Sequence, residues 1–308
     1  MQFTLRFLIG SGIFLAQAAM LHAQVKIEQD AANALIAPDA SIKKLAGDLK
    51  FTEGPVWLKD KSVLIFSDIP ASKLMQWSAD GGLREYRAVE AANGNTVDGS
   101  GRLVSCQHAG RNIVREEKDG TISVVVADFE GKKFHSPNDL AIKSDGTIWF
   151  TDPSYGLPKG AAKEIDGHWV YRFDPKTKKT TVVNREFDMP NGIAFSPDEK
   201  RLYIADSGRK QRVGAFPVNA DGTLGPALYW MEGGADGIRC DEKGNLYTTA
   251  GDGVRIYDPA GVRLATIKLP EVPANCGFGG ADGRTLFVTA RTSLYSVPLK
   301  IAGKEWIK

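Results

Sequence analysis

Beyond residue 50 the chain alternates short apolar runs with tight polar turns, and no stretch sustains the 3.6-residue period of a buried helix face. The runs Val63-Leu-Ile-Phe66, Thr147-Ile-Trp-Phe150, Arg201-Leu-Tyr-Ile204, Asn245-Leu-Tyr-Thr248 and Thr285-Leu-Phe-Val288 are rich in β-branched and aromatic residues, which suit a pleated surface. Turns such as Ser144-Asp145-Gly146, Ser196-Pro197-Asp198 and Ala281-Asp282-Gly283 precede them. Strand, tight turn and strand predict a hairpin. A further apolar run follows in most copies, as in Lys73-Leu-Met-Gln-Trp77, Val213-Gly-Ala-Phe216 and Gly253-Val-Arg-Ile-Tyr257, so each unit supplies three or four antiparallel strands.

Each unit opens on an anchor: Glu53-Gly-Pro-Val-Trp57, Asn95-Thr-Val-Asp-Gly99, Asn138-Asp-Leu-Ala-Ile142, Asn191-Gly-Ile-Ala-Phe195, Asp236-Gly-Ile-Arg-Cys240 and Asn275-Cys-Gly-Phe-Gly279. Successive anchors lie 42, 43, 53, 45 and 39 residues apart. That is the spacing of a four-stranded propeller blade, and radial repetition removes the open edges that a flat antiparallel sheet would expose. The expected fold is therefore all-β, a six-bladed β-propeller forming one domain over residues 24–308, with residues 24–50 covering an edge or completing a blade. Strand ends of one type recur at Asp68, Asp152 and Asp206 (Phe-Ser-Asp, Phe-Thr-Asp and Ile-Ala-Asp), a pattern that predicts turn capping by these carboxylates.

The first residues read differently. Arg6 precedes the apolar run from Phe7 to Leu21, and Leu21-His22-Ala23 comes before Gln24. A run of about 15 residues is short for the roughly 20 that span a bilayer, so residues 1–23 are expected to be a cleaved secretory signal, and the protein to be secreted or periplasmic with no membrane contact after cleavage. The 39 Lys and Arg nearly balance 37 Asp and Glu, which argues against a nucleic-acid partner. Three cysteines, Cys106, Cys240 and Cys276, allow at most one disulfide; Cys240 and Cys276 begin adjacent blades, where a pair of buried thiols is the expectation in preference to a bridge. Oligomeric state is not legible.

In a propeller the innermost strands face the axial channel, so equivalent positions converge there. The six anchor residues Glu53, Asn95, Asn138, Asn191, Asp236 and Asn275 all carry side-chain oxygen. Such a set, without thiolate or imidazole, suits a hard cation, calcium or magnesium and less well manganese, and disfavours zinc as the native metal. Glu53 and Asp236 would offset the charge of one divalent ion. A cation so placed polarises a carbonyl or phosphoryl oxygen and lowers the pKa of bound water, the chemistry of metal-assisted hydrolysis. No Gly-x-Ser-x-Gly elbow, His-Glu-x-x-His pair or P-loop is present, so serine-hydrolase, zincin and nucleotide chemistry lack their parts.

The stretch Phe51-Thr-Glu-Gly-Pro-Val-Trp57, with Phe134-His-Ser-Pro-Asn-Asp-Leu140, Phe150-Thr-Asp-Pro-Ser-Tyr-Gly-Leu157, Met189-Pro-Asn-Gly-Ile-Ala-Phe195 and Ala235-Asp-Gly-Ile238, resembles the gluconolactonase family, also called the senescence marker protein-30 or regucalcin-like family. The likeness runs from about residue 42 to residue 298 and leans toward the bacterial gluconolactonases. It implies a six-bladed propeller with one divalent cation in its channel, calcium foremost, with magnesium, manganese or zinc able to serve in vitro. By motif, it implies metal ligands at Glu53, Asn138, Asn191 and Asp236, with Asp236 also the general base or acid, and a sugar lactone as the small-molecule substrate. His135-Ser136-Pro137 stands where relatives often have Asn or Arg, which puts the substrate contacts there in question. Asn95, Asn138 and Asn275 in the channel, His108 after the strand ending at Ser105, His135 and the loop residue Tyr155 are the candidate substrate contacts. His108 also admits a bland reading, as a solvent-exposed turn residue. Two other functions stay open: a phosphotriester hydrolase on the same ion, distinguished by an apolar instead of a polar pocket wall, and a non-catalytic binding propeller stabilised by the ion.

Overall fold

A computed structural model describes residues 20–22 and 24–306. Within it six antiparallel sheets form a ring, the six-bladed β-propeller expected from the repeats. Blade 1 runs from the axis outward through Thr52–Leu58, Val63–Asp68, Lys73–Ser78 and Gly82–Ala88. Blades 2 to 5 follow over residues 92–126, 140–184, 190–232 and 238–268, and blade 6 takes its three inner strands from residues 275–298.

The ring closes without a covalent bond. The N-terminal strand Ser41–Ala46 pairs with Ser293–Pro298 as the outer strand of blade 6, so the two ends of the domain share one sheet. Gln24–Ile27 adds a fifth strand to the edge of blade 5 by pairing with Arg263–Lys268. Residues 24–50 thus both cover an edge and complete a blade. The expected leader, residues 1–23, lies almost wholly outside the described residues; of it, Met20–His22 pairs with Ser41–Lys43. No helix among the described residues is long and apolar enough to cross a membrane.

Burial of apolar side chains is concentrated at the seams between blades. Each of six core clusters joins neighbouring sheets: Val63 and Ile65 with Ala92 and Leu103, Cys106 and Ile113 with Leu140 and Phe150, Trp149 with Ile193 and Phe195, Ala194 and Tyr203 with Ile238 and Leu246, Tyr247 and Val254 with Cys276 and Val288, and Leu64 and Phe66 with Phe287 and Leu294. Trp57 stacks on Phe287 at 5.5 Å across the last seam. No sheet can bury both faces alone, so the blades are one cooperative unit. All three cysteines are buried free thiols.

Polar groups set how closely blades approach. Asp68, Asp152 and Asp206 each close a second strand and accept two main-chain N–H bonds from the segment entering the same blade, from Lys50 and Phe51, His135 and Ser136, and Asp188 and Met189. This is the expected capping role, repeated in blades 1, 3 and 4. Hydroxyls on second strands then reach the next blade: Ser67 Oγ donates to the Asn93 carbonyl, Thr151 Oγ1 to that of Asn191 and Thr249 Oγ1 to that of Ala274, each at 2.7 Å. Gly192 completes the approach, because a Cβ there would lie 2.3 Å from the Asp236 carbonyl oxygen. Gly192→Ala should therefore lower stability by about 3 kcal/mol or more through overpacking, whereas Gly251→Ala, with open space around the position, should stay within about 0.5 kcal/mol. Denaturant midpoints of the two variants check the contrast.

Candidate active site

Three inner strands lose register at their anchors, between Glu53 and Val56, between Ala92 and Asn95, and between Pro190 and Ile193. A bulge of this kind re-aims side chains off the regular pleat. The pairs Thr52 with Asp68, Ala92 with Gln107 and Pro190 with Asp206 occupy equivalent places. The counterpart of Glu53 and Asn191 in blade 2 is consequently Asn93, and Gly94 follows it as Gly54 and Gly192 follow theirs. The anchor assigned to Asn95 is displaced by two residues. Asn95 is 1% exposed and its amide is saturated: Nδ2 donates to the carbonyls of Gly54 and Asn93 and to Ser67 Oγ, while Oδ1 accepts from Ser105 Oγ at 2.6 Å. It fastens blade 2 to blade 1 and is not a substrate contact.

Four of the remaining anchors, Glu53, Asn191, Asp236 and Asn275, are linked to one another. Glu53 is buried, and its Oε2 accepts from the Gly54 N–H at 2.7 Å and from Asn275 Nδ2 at 2.8 Å. Both bonds fall on one oxygen, so Oε1 is the atom available to a ligand. Burial raises the Glu53 carboxyl well above the usual range, and the nearby Asp236 charge raises it further. Asp236 is likewise pushed up to about 7, first by burial, against a hydrogen bond from the Asn191 side chain that lowers it. Two carboxylates, 183 residues apart in sequence, thus share one desolvated spot. Asn191 orients one of them and Asn275 the other. The Asn275 Oδ1 is turned back onto the Cys276 N–H, so this residue, expected to touch substrate, instead positions Glu53. Asn138 is buried, with its main chain fixed to Thr151 and Gly94.

Beneath the carboxylates lies a pair that sequence reasoning missed. Asp139 takes the place that glycine holds in most anchors, and its buried carboxylate meets the Arg239 guanidinium at 2.9 and 3.4 Å. Arg239 follows Asp-Gly-Ile directly, yet nothing in the local sequence names a partner in blade 3.

Three groups, His108, Tyr155 and Ser207, lie next to the anchors through Asn93, Asp236 and Ala235. His108 is buried, its Nε2 lies 3.1 Å from Asn93 Nδ2, and burial pushes its pKa down to about 4, so it is neutral near pH 7. A Cβ at Gly156 would overlap the His108 ring; the loop carrying Tyr155 therefore rests on that imidazole. Tyr155 is 48% exposed, hydrogen-bonds Ser207 and senses the Asp236 charge, and burial of its hydroxyl end pushes it up to about 12. Ser207 Oγ in turn donates to the Ala235 carbonyl, next to Asp236. His135 departs from expectation. It is 1% exposed, its Nε2 bonds the Ile165 carbonyl at 3.0 Å, and it packs edge-on against His168. That makes it a buried support for the loop and not a substrate contact.

Among the described residues no three of His, Cys, Asp and Glu come together as a metal cluster. Any cation here must take amide oxygens beside the two carboxylates. The donor set fits that demand: Glu53 Oε1, Asp236, Asn191, Asn138 and the buried Asn93 Oδ1, which has no hydrogen-bond partner, are all hard oxygens. A cavity of about 890 Å³ lies elsewhere, lined by the far ends of the inner strands, including Trp57, Leu58, Phe278 and Arg239. None of these carboxylates lines it.

The chain belongs to the SMP-30/gluconolactonase/LRE-like family, whose model matches residues 51–292. It is similar to a gluconolactonase of Zymomonas mobilis, 31% identical over 303 residues that cover 88% of this chain and 85% of the relative. A solved gluconolactonase from Xanthomonas campestris superposes with a TM-score of 0.85 at 34% identity, covering 92% of this chain and 99% of that one. Regucalcin of Xenopus laevis is 26% identical over 260 residues, 78% of this chain and 83% of the relative.

The depressed His108 pKa has a consequence for stability. The unfolded chain takes up this proton below about 6.5, the folded protein only near 4, so stability is lost as pH falls through that window, by about 3 kcal/mol in full. His108→Gln should flatten this part of the pH–stability curve, measured by denaturant titration between those two pH values; an unchanged slope would show that the imidazole titrates freely.

Proposed function

We propose that this protein is a divalent-cation-dependent hydrolase of sugar lactones, with the ion at the axial cluster of Glu53, Asn138, Asn191 and Asp236. One observation carries the reading. Two carboxylates are held together out of water by dedicated amides, an arrangement that costs several kcal/mol unless a cation or a proton compensates it. The gluconolactonases among the relatives support the substrate class.

When bound, the cation would polarise the lactone carbonyl and acidify the attacking water. The protein's own groups supply the rest. Asp236 would accept a proton from water as the oxygen–carbon bond forms at the carbonyl. It can then return that proton to the ring oxygen as the carbon–oxygen bond breaks, leaving an open-chain hydroxy acid. Asn191 holds Asp236 in place for both transfers, and Asn275 does the same for Glu53. The neutral His108 and the Tyr155 hydroxyl present donors and acceptors to ring hydroxyls at the rim, fixing the carbonyl over the cluster. These polar rim groups favour a sugar lactone over a phosphotriester, which would call for an apolar wall.

We also propose export by cleavage before Gln24. That residue begins the strand on the edge of blade 5, so the mature N-terminus would start on the fold; N-terminal sequencing of the exported protein should read Gln-Val-Lys-Ile.

The catalytic reading is tested with chelated protein, five- and six-membered sugar lactones, a phosphotriester, and calcium, magnesium, manganese and zinc added back singly. Lactone turnover should vanish on chelation and return with a cation. Glu53→Gln and Asp236→Asn should each reduce kcat by about a hundredfold or more. Full activity in the chelated protein, or in Asp236→Asn, would sink the proposal, and turnover of none of these substrates with any cation would favour the binding scaffold.

A further inference from the structure

A third carboxylate lies near enough to the two to act on them through its charge. Asp139 adds to the repulsion that raises both Glu53 and Asp236, and left charged it would give the cation site an excess of negative charge over one divalent ion. Its charge is met by Arg239, which reaches from the inner strand Ile238–Cys240 of blade 5 past blade 4 to the start of Leu140–Ile142 in blade 3. The guanidinium is tied at its own end as well, with Nη1 donating to the Ile238 carbonyl at 2.7 Å. The Asp139 Oδ1 also accepts from the Leu140 N–H at 2.9 Å. Both side chains are nearly excluded from water, at 12% and 1% exposure, so screening of the pair by solvent is weak. Arg239 at the same time lines the cavity of about 890 Å³, which Asp139 does not.

We propose that Arg239 is a positioning residue that sets the charge of the site: by neutralising Asp139 it leaves Glu53 and Asp236 as the two net charges offered to one divalent cation. This rests on the metal-site reading above. A guanidinium acting only as a strut would be needed for shape, and its loss and the loss of its partner would damage the site alike. A charge-setting pair behaves otherwise, because removing either member shifts the local potential in opposite directions.

Calorimetric titration of calcium into the chelated full-length protein separates the cases. Arg239→Met should bind calcium about tenfold or more tightly than wild type, and Asp139→Asn about tenfold or more weakly, from the Coulomb change alone. The double variant D139N/R239M should return to within about threefold of wild type, and Arg239→Lys, which keeps the charge, should match wild type within the same margin. If Arg239→Met does not fold, the Asp139→Asn and double variants still decide: weakening in the first that the second restores supports the proposal. Weakening in every variant, or no shift in any, overturns it. Failure of the wild-type protein to bind calcium, magnesium or manganese would instead overturn the metal-site reading, and the two failures are thereby told apart.

Discussion

The structure turns on the enforced proximity of Glu53 and Asp236 at the axis of the ring. Like charges in a desolvated place repel, and each carboxyl is raised by its own burial before the neighbour adds to it. Chain connectivity does not bring them together, since one opens blade 1 and the other blade 5. Ring closure does. The seam packing, the second-strand hydroxyls and the pairing of Ser41–Ala46 with the last strand fix six inner strands around one axis, and the cost of the buried charges is spread over that whole framework.

Around this point the protein separates holding from binding. Asn191 and Asn275 each spend an amide on one carboxylate. Asn95 spends all of its capacity on the neighbouring blade. His135 and Asp152 anchor the loop that carries Tyr155, and His108 receives that loop from below. Side chains that look alike as polar channel residues are therefore divided by what their partners leave unused, and Glu53 Oε1 and Asn93 Oδ1 remain as oxygens without a protein donor.

Much of this was legible in the amino-acid order. The anchors at about forty-residue intervals announced six blades, and the recurring aspartates at 68, 152 and 206 announced the capping bonds that the structure shows. Glu53 and Asp236 stood out because a carboxylate heading an apolar inner strand has no fold-level reason to be there. Blade 2 went astray because Asn93-Gly94-Asn95 offers two asparagines two apart, which the period of a strand cannot distinguish; only the bulge between Ala92 and Asn95 assigns the channel position to the first. His135 could not be sorted from sequence, since its partner, the Ile165 carbonyl, is supplied by a loop 30 residues away. The Asp139–Arg239 pair was hidden for the same reason on a larger scale, being 100 residues apart and meaningful only once blades 3 and 5 are seen across blade 4.

One spatial relation underlies the chemistry proposed for this protein: a single hard cation held between Glu53, Asn191 and Asp236. Anomalous diffraction from crystals of the protein soaked in manganese examines it without reference to turnover. The account predicts one strong peak on the channel axis, about 2.1 to 2.4 Å from oxygens of those three residues; peaks confined to surface carboxylates, with the axis empty, would contradict it.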